Sequence, residues 1–148
     1  IKAMIGLLQR VSAASVAVDG ETIGRIGRGL MVLVAVHRDD EDRDIARLAE
    51  RILTYRVFPD DAGRMNRSLL DERYGLLLVP QFTLAADTKK GTRASFTKAA
   101  EPDKGADYFE RLVAVCRARL ETVETGRFGA NMQVSLTNDG PVTFWLET

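Results

Sequence analysis

The chain has 148 residues, of which 45% are hydrophobic, so it is long enough to bury a substantial core in one domain. Its 21 basic and 21 acidic side chains cancel, which excludes attraction to a polyanion through net charge and leaves only local patches. A single cysteine, Cys116, excludes an intramolecular disulfide and is typical of the reducing cytoplasm.

We therefore predict one cytoplasmic domain over residues 4–148. Ile1-Lys2-Ala3 precede Met4, and we interpret these three residues as a cloning remnant. No apolar run approaches the roughly 20 residues that a membrane span requires, so we expect no contact with a membrane.

The first third of the chain has the pattern of strands followed by a helix. Between Met4 and Val36 the sequence is rich in Val, Ile, Leu and Ala, which predicts three strands. Tight turns should join them at Asp19-Gly20 and at Gly24, Gly27 and Gly29. From Asp39 to Thr54 apolar residues recur with the helical period, which predicts an amphipathic helix. Its first turn should be acidic, with Asp40, Glu41 and Asp42.

The middle of the chain alternates apolar runs with turn-rich stretches. Arg56 to Phe58 predicts a short strand, and Leu76 to Val79 predicts a buried central strand. The segment from Asp87 to Ala100 is polar and basic with little periodicity, which indicates a long surface loop. Pro102 is suited to open a second helix, whose apolar stripe includes Cys116 and places that thiol in the core.

The C-terminal part predicts two strands, Met132 to Leu136 and Val142 to Leu146, on either side of a tight turn at Asn138-Asp139-Gly140-Pro141. Because the first strands follow one another without intervening helices, the sheet should be mixed and largely antiparallel. The predicted fold class is α+β, with a barrel-like sheet and two main helices.

Few side chains suggest a standard catalytic mechanism. His37 is the single histidine, and its place at the end of a predicted strand indicates an ordinary surface residue rather than part of a Ser-His-Asp or Cys-His pair. Cys116 has no neighbouring ligand at metal spacing, so we predict no metal and no cofactor. The glycines from Gly24 to Gly29 do not open a helix, which favours turn glycines over a phosphate-binding loop.

Three segments are candidates for chemistry or binding. A strand ending in Gln81-Phe82-Thr83-Leu84 can aim successive backbone N–H groups at one point, as an oxyanion site requires. Three roles are open for Thr83: a nucleophile, a group that orients the attacking water, or an ordinary threonine at the end of a strand. At Gly140-Pro141 a cis peptide bond costs only about 0.5–1 kcal/mol, but the sequence does not decide between cis and trans. A basic patch would either bind phosphates or form a solvated face, and it consists of Lys89, Lys90, Arg93 and Lys98.

A set of short segments, in this order and at these separations, resembles the D-aminoacyl-tRNA deacylases. They are Leu8-Gln9-Arg10-Val11, Gln81-Phe82-Thr83-Leu84, Ala86-Asp87-Thr88 with Gly91, Gly126-Arg127-Phe128, Met132-Gln133-Val134 and Asn138-Asp139-Gly140-Pro141-Val142-Thr143. The resemblance runs from Met4 to Thr148. It implies a homodimeric hydrolase that cleaves the ester between a D-amino acid, or glycine, and the 3′-terminal adenosine of tRNA.

The resemblance also implies roles for individual residues. Gly140-Pro141 would be cis and reach into the partner subunit's site, where its carbonyl oxygens exclude an L side chain. The backbone of Phe82 and Thr83, next to Gln81, would hold the scissile carbonyl or its oxyanion. Arg10 would hold the Gly-Pro loop. The pocket for the end of the tRNA would be lined by Ser95, Phe96 and Met132.

Two departures from the family pattern bear on the mechanism. Pro80 stands where many relatives have serine, so attack falls either to Thr83 or to water assisted by the 2′-hydroxyl of the terminal adenosine, and we favour the water. Ala94 stands where relatives often have proline before Ser95, which predicts a less rigid loop and altered affinity. Two alternatives are a tRNA-binding module of this fold without chemistry and a deacylase of L-alanyl-tRNA with a trans Gly-Pro bond.

Overall fold

The structure is a computed structural model that describes residues 4–148, so the interpretation of residues 1–3 as a cloning remnant lies outside the described residues. Its long first strand, β1 (Ile5–Val18), pairs antiparallel with β2 (Glu21–Ile26) and β3 (Gly29–Ala35). Asp19 and Gly20 have positive φ angles of 51° and 80°, as a two-residue hairpin turn of type I′ requires. The three predicted strands and the first turn are confirmed.

A small hairpin and a long loop leave the main sheet. β4 (Phe58–Pro59) lies two residues later than the strand predicted from Arg56, and it pairs with β5 (Met65–Arg67) in a separate two-stranded sheet. Residues 87–100 contain no strand or helix apart from two isolated β-bridges, which confirms the predicted loop.

The main sheet becomes mixed beyond β3. There β6 (Gly75–Pro80) pairs in parallel with β3, and β7 (Val123–Thr125) pairs in parallel with β6. The sheet curls until β2 approaches β7, and a Cβ on Gly24 would lie only 2.9 Å from the Thr125 carbonyl oxygen. The predicted mixed, barrel-like α+β fold is confirmed. The interpretation of Gly24 and Gly29 as turn residues was wrong, because both lie in strands where backbone elements approach closely.

Alternate residues of the central strands are buried on opposite faces of the sheet. Leu30 and Val32 contribute to the core beneath the helices, whereas Met31 and Leu77 contribute to a second core inside the curled sheet. Burial on both faces explains the uninterrupted apolar run at residues 76–79, and the predicted central strand is confirmed as β6.

Two main helices pack on each other and complete the larger core. They are α1 (Asp42–Thr54) and α3 (Pro102–Arg117), while α2 (Leu69–Glu72) is a single turn. Pro102 occupies the first turn of α3, where its missing backbone N–H has no helical partner to lose. The second helix and the burial of Cys116 are confirmed. No helix within residues 4–148 combines the length and the apolar character needed to cross a membrane.

The start of α1 differs from the sequence prediction. Glu41 is the N-cap residue, so the helix begins later than the predicted first turn. Asp40 is instead buried in the preceding turn, where its carboxylate accepts the backbone N–H of His37 at 2.7 Å. His37 is only 7% exposed, so its interpretation as a surface residue was also wrong. The histidine forms a β-bridge with Ala99. This contact with a distant part of the chain buries His37, and the residues next to His37 in the sequence do not predict it.

The C-terminal strand shows the largest difference from prediction. Gln133–Glu147 form a single strand, β8, whose two halves both pair antiparallel with β1. Thr143 pairs with Gln9 and Asn138 with Val11, so four residues of β8, 139–142, lie opposite one residue of β1 and bulge out of the ladder. The predicted tight turn between two strands was wrong, because β1 is long enough to pair with both halves and the chain does not reverse.

Candidate active site

A short 3-10 helix, Phe82–Ala85, follows β6 and forms the centre of the candidate site. The backbone N–H of Gln81 donates to the Val34 carbonyl at 2.7 Å, which anchors the start of the turn to β3. The first turn closes through the N–H of Leu84, so the N–H groups of Phe82 and Thr83 have no acceptor within the helix. Two adjacent backbone donors of this kind can stabilise an oxyanion.

The hydroxyl of Thr83 is paired with an amide among the described residues, not with a base. Its oxygen accepts a hydrogen bond from the side-chain amide of Gln81, and an amide does not remove a proton at neutral pH. No titratable side chain within residues 4–148 hydrogen-bonds to this hydroxyl. The arrangement orients Thr83 without activating it as a nucleophile.

Pro80 is accommodated at the end of β6 because the ladder to β7 has already finished there. Backbone groups point alternately to the two neighbouring strands, and Gln81 donates to β3, so the nitrogen of Pro80 faces the β7 side. On that side the last hydrogen bond is from Gly126 to Leu78. The missing donor of proline therefore breaks no hydrogen bond of the sheet.

A pocket of about 450 Å³ opens beside the 3-10 helix, and we call it the Met132 pocket. Its walls come from the end of β6, the 3-10 helix, the segment after β7 and the start of α3, and they include Pro80, Phe82, Phe128 and Met132. The Met132 sulfur accepts the backbone N–H of Arg127 at 3.3 Å, which holds this side chain against the wall. The fold thus brings Met132 to the Gln81 turn from a distant part of the sequence.

The loop of residues 87–100 also contacts the turn. Two backbone hydrogen bonds of 2.7 and 2.9 Å join Asp87 and Ser95. They present Phe96 to Phe82, with ring centroids 5.3 Å apart, and both rings remain largely exposed, at 43% and 60%. Ser95 is exposed beside them. The four predicted basic residues are exposed on this loop and form no ion pair within residues 4–148: Lys89, Lys90, Arg93 and Lys98.

Arg10 anchors the bulge that contains Gly140-Pro141. Its Nε donates to the Asp139 carbonyl at 2.9 Å and its Nη1 to the Val57 carbonyl at 2.7 Å. The Arg10 side chain is only 14% exposed. Its two hydrogen bonds tie the bulge to the segment before β4. The Gly140-Pro141 peptide bond is cis, and both residues are exposed.

Asn138 also holds the bulge, a role that the sequence did not predict. Its side-chain oxygen accepts the Val142 N–H at 2.7 Å, and its amide nitrogen donates to the Thr143 hydroxyl at 2.9 Å. The available signal was an asparagine at the start of a turn-type segment, because its side chain often bonds to the backbone a few residues away. Phe128 was likewise missed as a pocket wall.

The fold does not bring Gly140-Pro141 to Thr83 of the same chain. Arg10, opposite the bulge, pairs with Leu30, whereas Gln81 bonds to Val34, four residues further along β3. The bulge and the turn are also separated by three strand spacings, from β8 through β1 and β3 to β6. At about 3.3 Å per residue and about 4.8 Å per strand, the two segments lie roughly 20 Å apart along the sheet.

The remaining reactive side chains do not contribute to this site. Burial raises the pKa of Cys116 to about 12, so the thiol is protonated and inert at neutral pH. Burial also lowers the pKa of His37, which favours the neutral imidazole. Within residues 4–148, no three His, Cys, Asp or Glu side chains are grouped to hold a metal ion.

Comparisons with known proteins give a consistent result. The sequence model of the D-Tyr-tRNA(Tyr) deacylase family matches residues 7–147. Proteins named D-aminoacyl-tRNA deacylase from Alkalilimnicola ehrlichii and Thioalkalivibrio sulfidiphilus are each 63% identical over 144 residues, covering 97% of this chain and 96% and 97% of theirs.

Solved structures are similar over the whole fold. A c-Myc DNA unwinding element binding protein is 37% identical, with a TM-score of 0.94, covering 98% of this chain and 99% of its own. A probable eukaryotic D-amino acid tRNA deacylase has a TM-score of 0.87 at 20% identity, covering 99% of this chain and 100% of its own, which shows a shared fold.

Proposed function

The chain belongs to the D-Tyr-tRNA(Tyr) deacylase family, whose members hydrolyse aminoacyl-tRNA esters, and we propose that it proofreads D-aminoacyl-tRNA and glycyl-tRNA in the cytoplasm. The products are the free D-amino acid or glycine and a tRNA that is ready to be charged again. The observation that carries the proposal is the pair of backbone donors at Phe82 and Thr83, which have no acceptor within the 3-10 helix and lie beside the Met132 pocket.

The Met132 pocket is suited to the terminal adenosine. Phe82, Phe128 and Met132 offer apolar and aromatic surface for the faces of a purine base. Its volume of about 450 Å³ lies within the usual range for small-molecule sites. Because the pocket borders Gln81, a nucleoside bound there presents its 3′ ester to the N–H groups of Phe82 and Thr83.

Hydrolysis in this site proceeds by attack of water on the ester carbonyl. The carbonyl oxygen gains negative charge and accepts the backbone N–H groups of Phe82 and Thr83. The bond from the carbonyl carbon to the ribose 3′-oxygen then breaks, and that oxygen takes up the proton lost by the attacking water and leaves as the 3′-hydroxyl. The adjacent 2′-hydroxyl of the substrate orients the water, which suits a site where Thr83 is paired with an amide and Pro80 offers no hydroxyl.

The Gly140-Pro141 bulge selects the D configuration in the partner subunit's site. A bulge roughly 20 Å from its own Thr83 can serve only another copy of the chain, which supports a homodimer. Fixed main-chain carbonyls there collide with an L side chain, whereas a D side chain points outward and glycine has none. Selection by exclusion accounts for broad acceptance of D residues.

The exposed basic loop extends the proposed contact with tRNA. Its cations form no ion pair within residues 4–148 and are suited to phosphates of the acceptor stem; they are Lys89, Lys90, Arg93 and Lys98. Ser95 and Phe96 lie on the same loop at the rim of the site, beside Phe82.

The decisive experiment compares D-tyrosyl-tRNA, glycyl-tRNA and L-tyrosyl-tRNA as substrates of the purified chain, with EDTA present. We expect release of D-tyrosine and glycine with little release of L-tyrosine. Equal rates for D- and L-tyrosyl-tRNA would contradict stereoselection. Binding of tRNA without turnover would instead support the nucleic-acid-binding module, and selective release of L-alanine would support the L-alanyl-tRNA deacylase.

Thr83→Ala separates the two mechanisms of attack. If water attacks, kcat should fall by less than about tenfold, because the backbone donors remain. A loss of more than about a thousandfold with unchanged substrate binding would show that the hydroxyl is the nucleophile. Thr88→Ala, on the exposed loop, is the matched control.

A further inference from the structure

A second cavity adjoins the Met132 pocket and is not used by the proposed chemistry. It is a groove of about 760 Å³ between α3 and the segment of residues 125–128, and we call it the Arg127 groove. Phe128 lines both cavities, and so forms the wall between them. Both open near the carboxyl end of the parallel strands β6 and β7, because Gly126 follows β7 and bonds to Leu78 of β6.

The lining of the groove combines apolar surface with positive charge. Ile23, Val113 and Phe128 provide apolar surface, and Arg117 and Arg127 provide two guanidinium groups. Arg117 donates to the Val123 carbonyl through Nε and Nη2, at 3.4 and 3.2 Å, which leaves its Nη1 available.

Arg127 is the more available of the two cations. Its side chain is exposed and makes no hydrogen bond or ion pair with the described residues, while its backbone N–H is held by the Met132 sulfur. Glu110 is the one carboxylate among the lining residues, so the charge of the groove remains favourable to an anion. Cations beside apolar and aromatic surface are the combination that binds single-stranded nucleic acid.

We propose that the Arg127 groove binds the single-stranded nucleotides that precede the terminal adenosine of the tRNA. The proposal rests on the placement of that adenosine in the Met132 pocket. A strand whose last nucleoside lies in this pocket crosses Phe128 and continues directly into the groove. Arg127 and Arg117 then contact its phosphates, while the apolar wall packs against its bases and riboses.

The Arg127 groove contains no residue of the basic loop, so the two contact different parts of the tRNA. The loop carries Lys89 and Lys90 on the side of Phe96, whereas the groove lies beyond Phe128. Three substrates distinguish their contributions: D-tyrosyl-adenosine, a D-tyrosyl ester of a short oligonucleotide with the tRNA 3′ sequence, and D-tyrosyl-tRNA.

For the wild-type chain, kcat/KM should rise from the adenosine ester to the oligonucleotide ester. Arg127→Ala should reduce this rise about tenfold, mainly through KM. Because one phosphate contact is lost, the slope of log(kcat/KM) against log salt concentration should become shallower by about 0.7. Arg47→Ala removes an exposed arginine of α1 and serves as the matched control. The Lys89→Ala/Lys90→Ala double variant should lower only the further rise to the tRNA substrate.

Failure of this inference is distinguishable from failure of the proposed function. If the wild-type chain cleaves the adenosine and oligonucleotide esters equally well, or if Arg127→Ala affects both equally, the groove does not bind the strand although the enzyme works. If no ester is cleaved, the proposed function fails. In that case anisotropy of the labelled, uncharged oligonucleotide still tests the groove, since unchanged binding by Arg127→Ala would overturn its assignment.

Discussion

At the scale of single residues, the side chains of this site position backbone groups. Arg10 donates to the Asp139 carbonyl, and Asn138 bonds to the backbone of Val142 and to the Thr143 hydroxyl, so the two side chains hold the residues on either side of Gly140-Pro141. Gln81 orients Thr83 in a similar way. Selectivity in such a site depends on how rigidly the main chain is held, so a change that loosens the bulge should affect stereoselection before it affects chemistry.

Asn138→Ala should therefore relax the rejection of L substrates. Each hydrogen bond that holds the bulge stabilises its conformation by about 1 kcal/mol. We expect the D-to-L ratio of kcat/KM to fall about tenfold or more, with D-tyrosyl-tRNA hydrolysed within a few-fold of the wild-type rate. Asn138→Asp keeps the acceptor for the Val142 N–H and should show a smaller effect. An unchanged ratio in Asn138→Ala, compared with the exposed neighbour Thr137→Ala, would exclude this positioning role.

Asp40 provides a pH-dependent contribution to stability. Burial raises the pKa of Asp40 from 3.8 to about 6, although the hydrogen bond from the His37 N–H opposes this shift. One of its carboxylate oxygens has no hydrogen-bond partner within residues 4–148. The folded state holds this proton more tightly than the unfolded state does. The contribution of Asp40 is therefore fully present below about pH 4 and is lost as the pH rises to about 6.

Asp40→Asn should remove this dependence, since the amide oxygen still accepts the His37 N–H. The free energy of unfolding of the variant relative to wild type should rise by about 2–3 kcal/mol between pH 4 and pH 7, at 1.36 kcal/mol per pKa unit. Urea denaturation at several pH values measures it. Asp39→Asn, an exposed neighbour, is the control, and a constant difference across the range would contradict a raised pKa in the folded state.

At the scale of elements, one long strand organises the molecule. β1 pairs with β2, β3 and β8. Because β1 pairs with both halves of β8, the segment of residues 139–142 forms a bulge, although its sequence is typical of a hairpin turn. The parallel strands β3 and β6 approach so closely at their first residues that only glycine fits at position 29. A Cβ on Gly29 would collide with the carbonyl of Gly75.

Gly29→Ala should consequently destabilise the fold by about 3 kcal/mol, since the sheet has to separate at that point. Gly27→Ala is the matched control, because a Cβ there meets no atom within 4 Å, and it should change stability by less than about 1 kcal/mol. Chemical denaturation of both variants tests the difference. Equal stability of the two variants would mean that the β3–β6 contact adapts without cost.

At the scale of the whole molecule, the proposed site is incomplete in one chain. The bulge that is proposed to select the substrate lies roughly 20 Å from the turn that is proposed to bind its carbonyl. Within residues 4–148, β8 pairs only with β1, so it also presents an unpaired edge, and Trp145 and Val134 are exposed along it. These features favour assembly with a second copy.

We expect light scattering to give twice the mass of the chain. Dilution below the dimer dissociation constant should then lower the D-to-L ratio of kcat/KM, because each monomer loses the bulge supplied by its partner. A chain that scatters as a monomer while retaining full stereoselection would contradict the cross-subunit arrangement. Measuring both substrates at each concentration separates this effect from simple unfolding.

The sequence by itself determined the elements whose residues interact locally. Helical periodicity predicted both main helices, Asp19-Gly20 predicted the first hairpin, and the apolar run at residues 76–79 predicted the buried strand. The ordered motifs also predicted the family, because short segments at fixed separations preserve a backbone arrangement even when each segment alone is uninformative.

Only the tertiary structure decided what depends on distant partners. Pairing with β1 made β8 a single strand, the loop ending at Ala100 buried His37, and the return of the chain after β7 placed Phe128 and Met132 beside Gln81. Each outcome depends on packing and strand pairing between residues that are distant in the sequence. No local sequence pattern indicates such a contact. The separation of Gly140-Pro141 from Thr83 is of the same kind, since it follows from strand order and register alone.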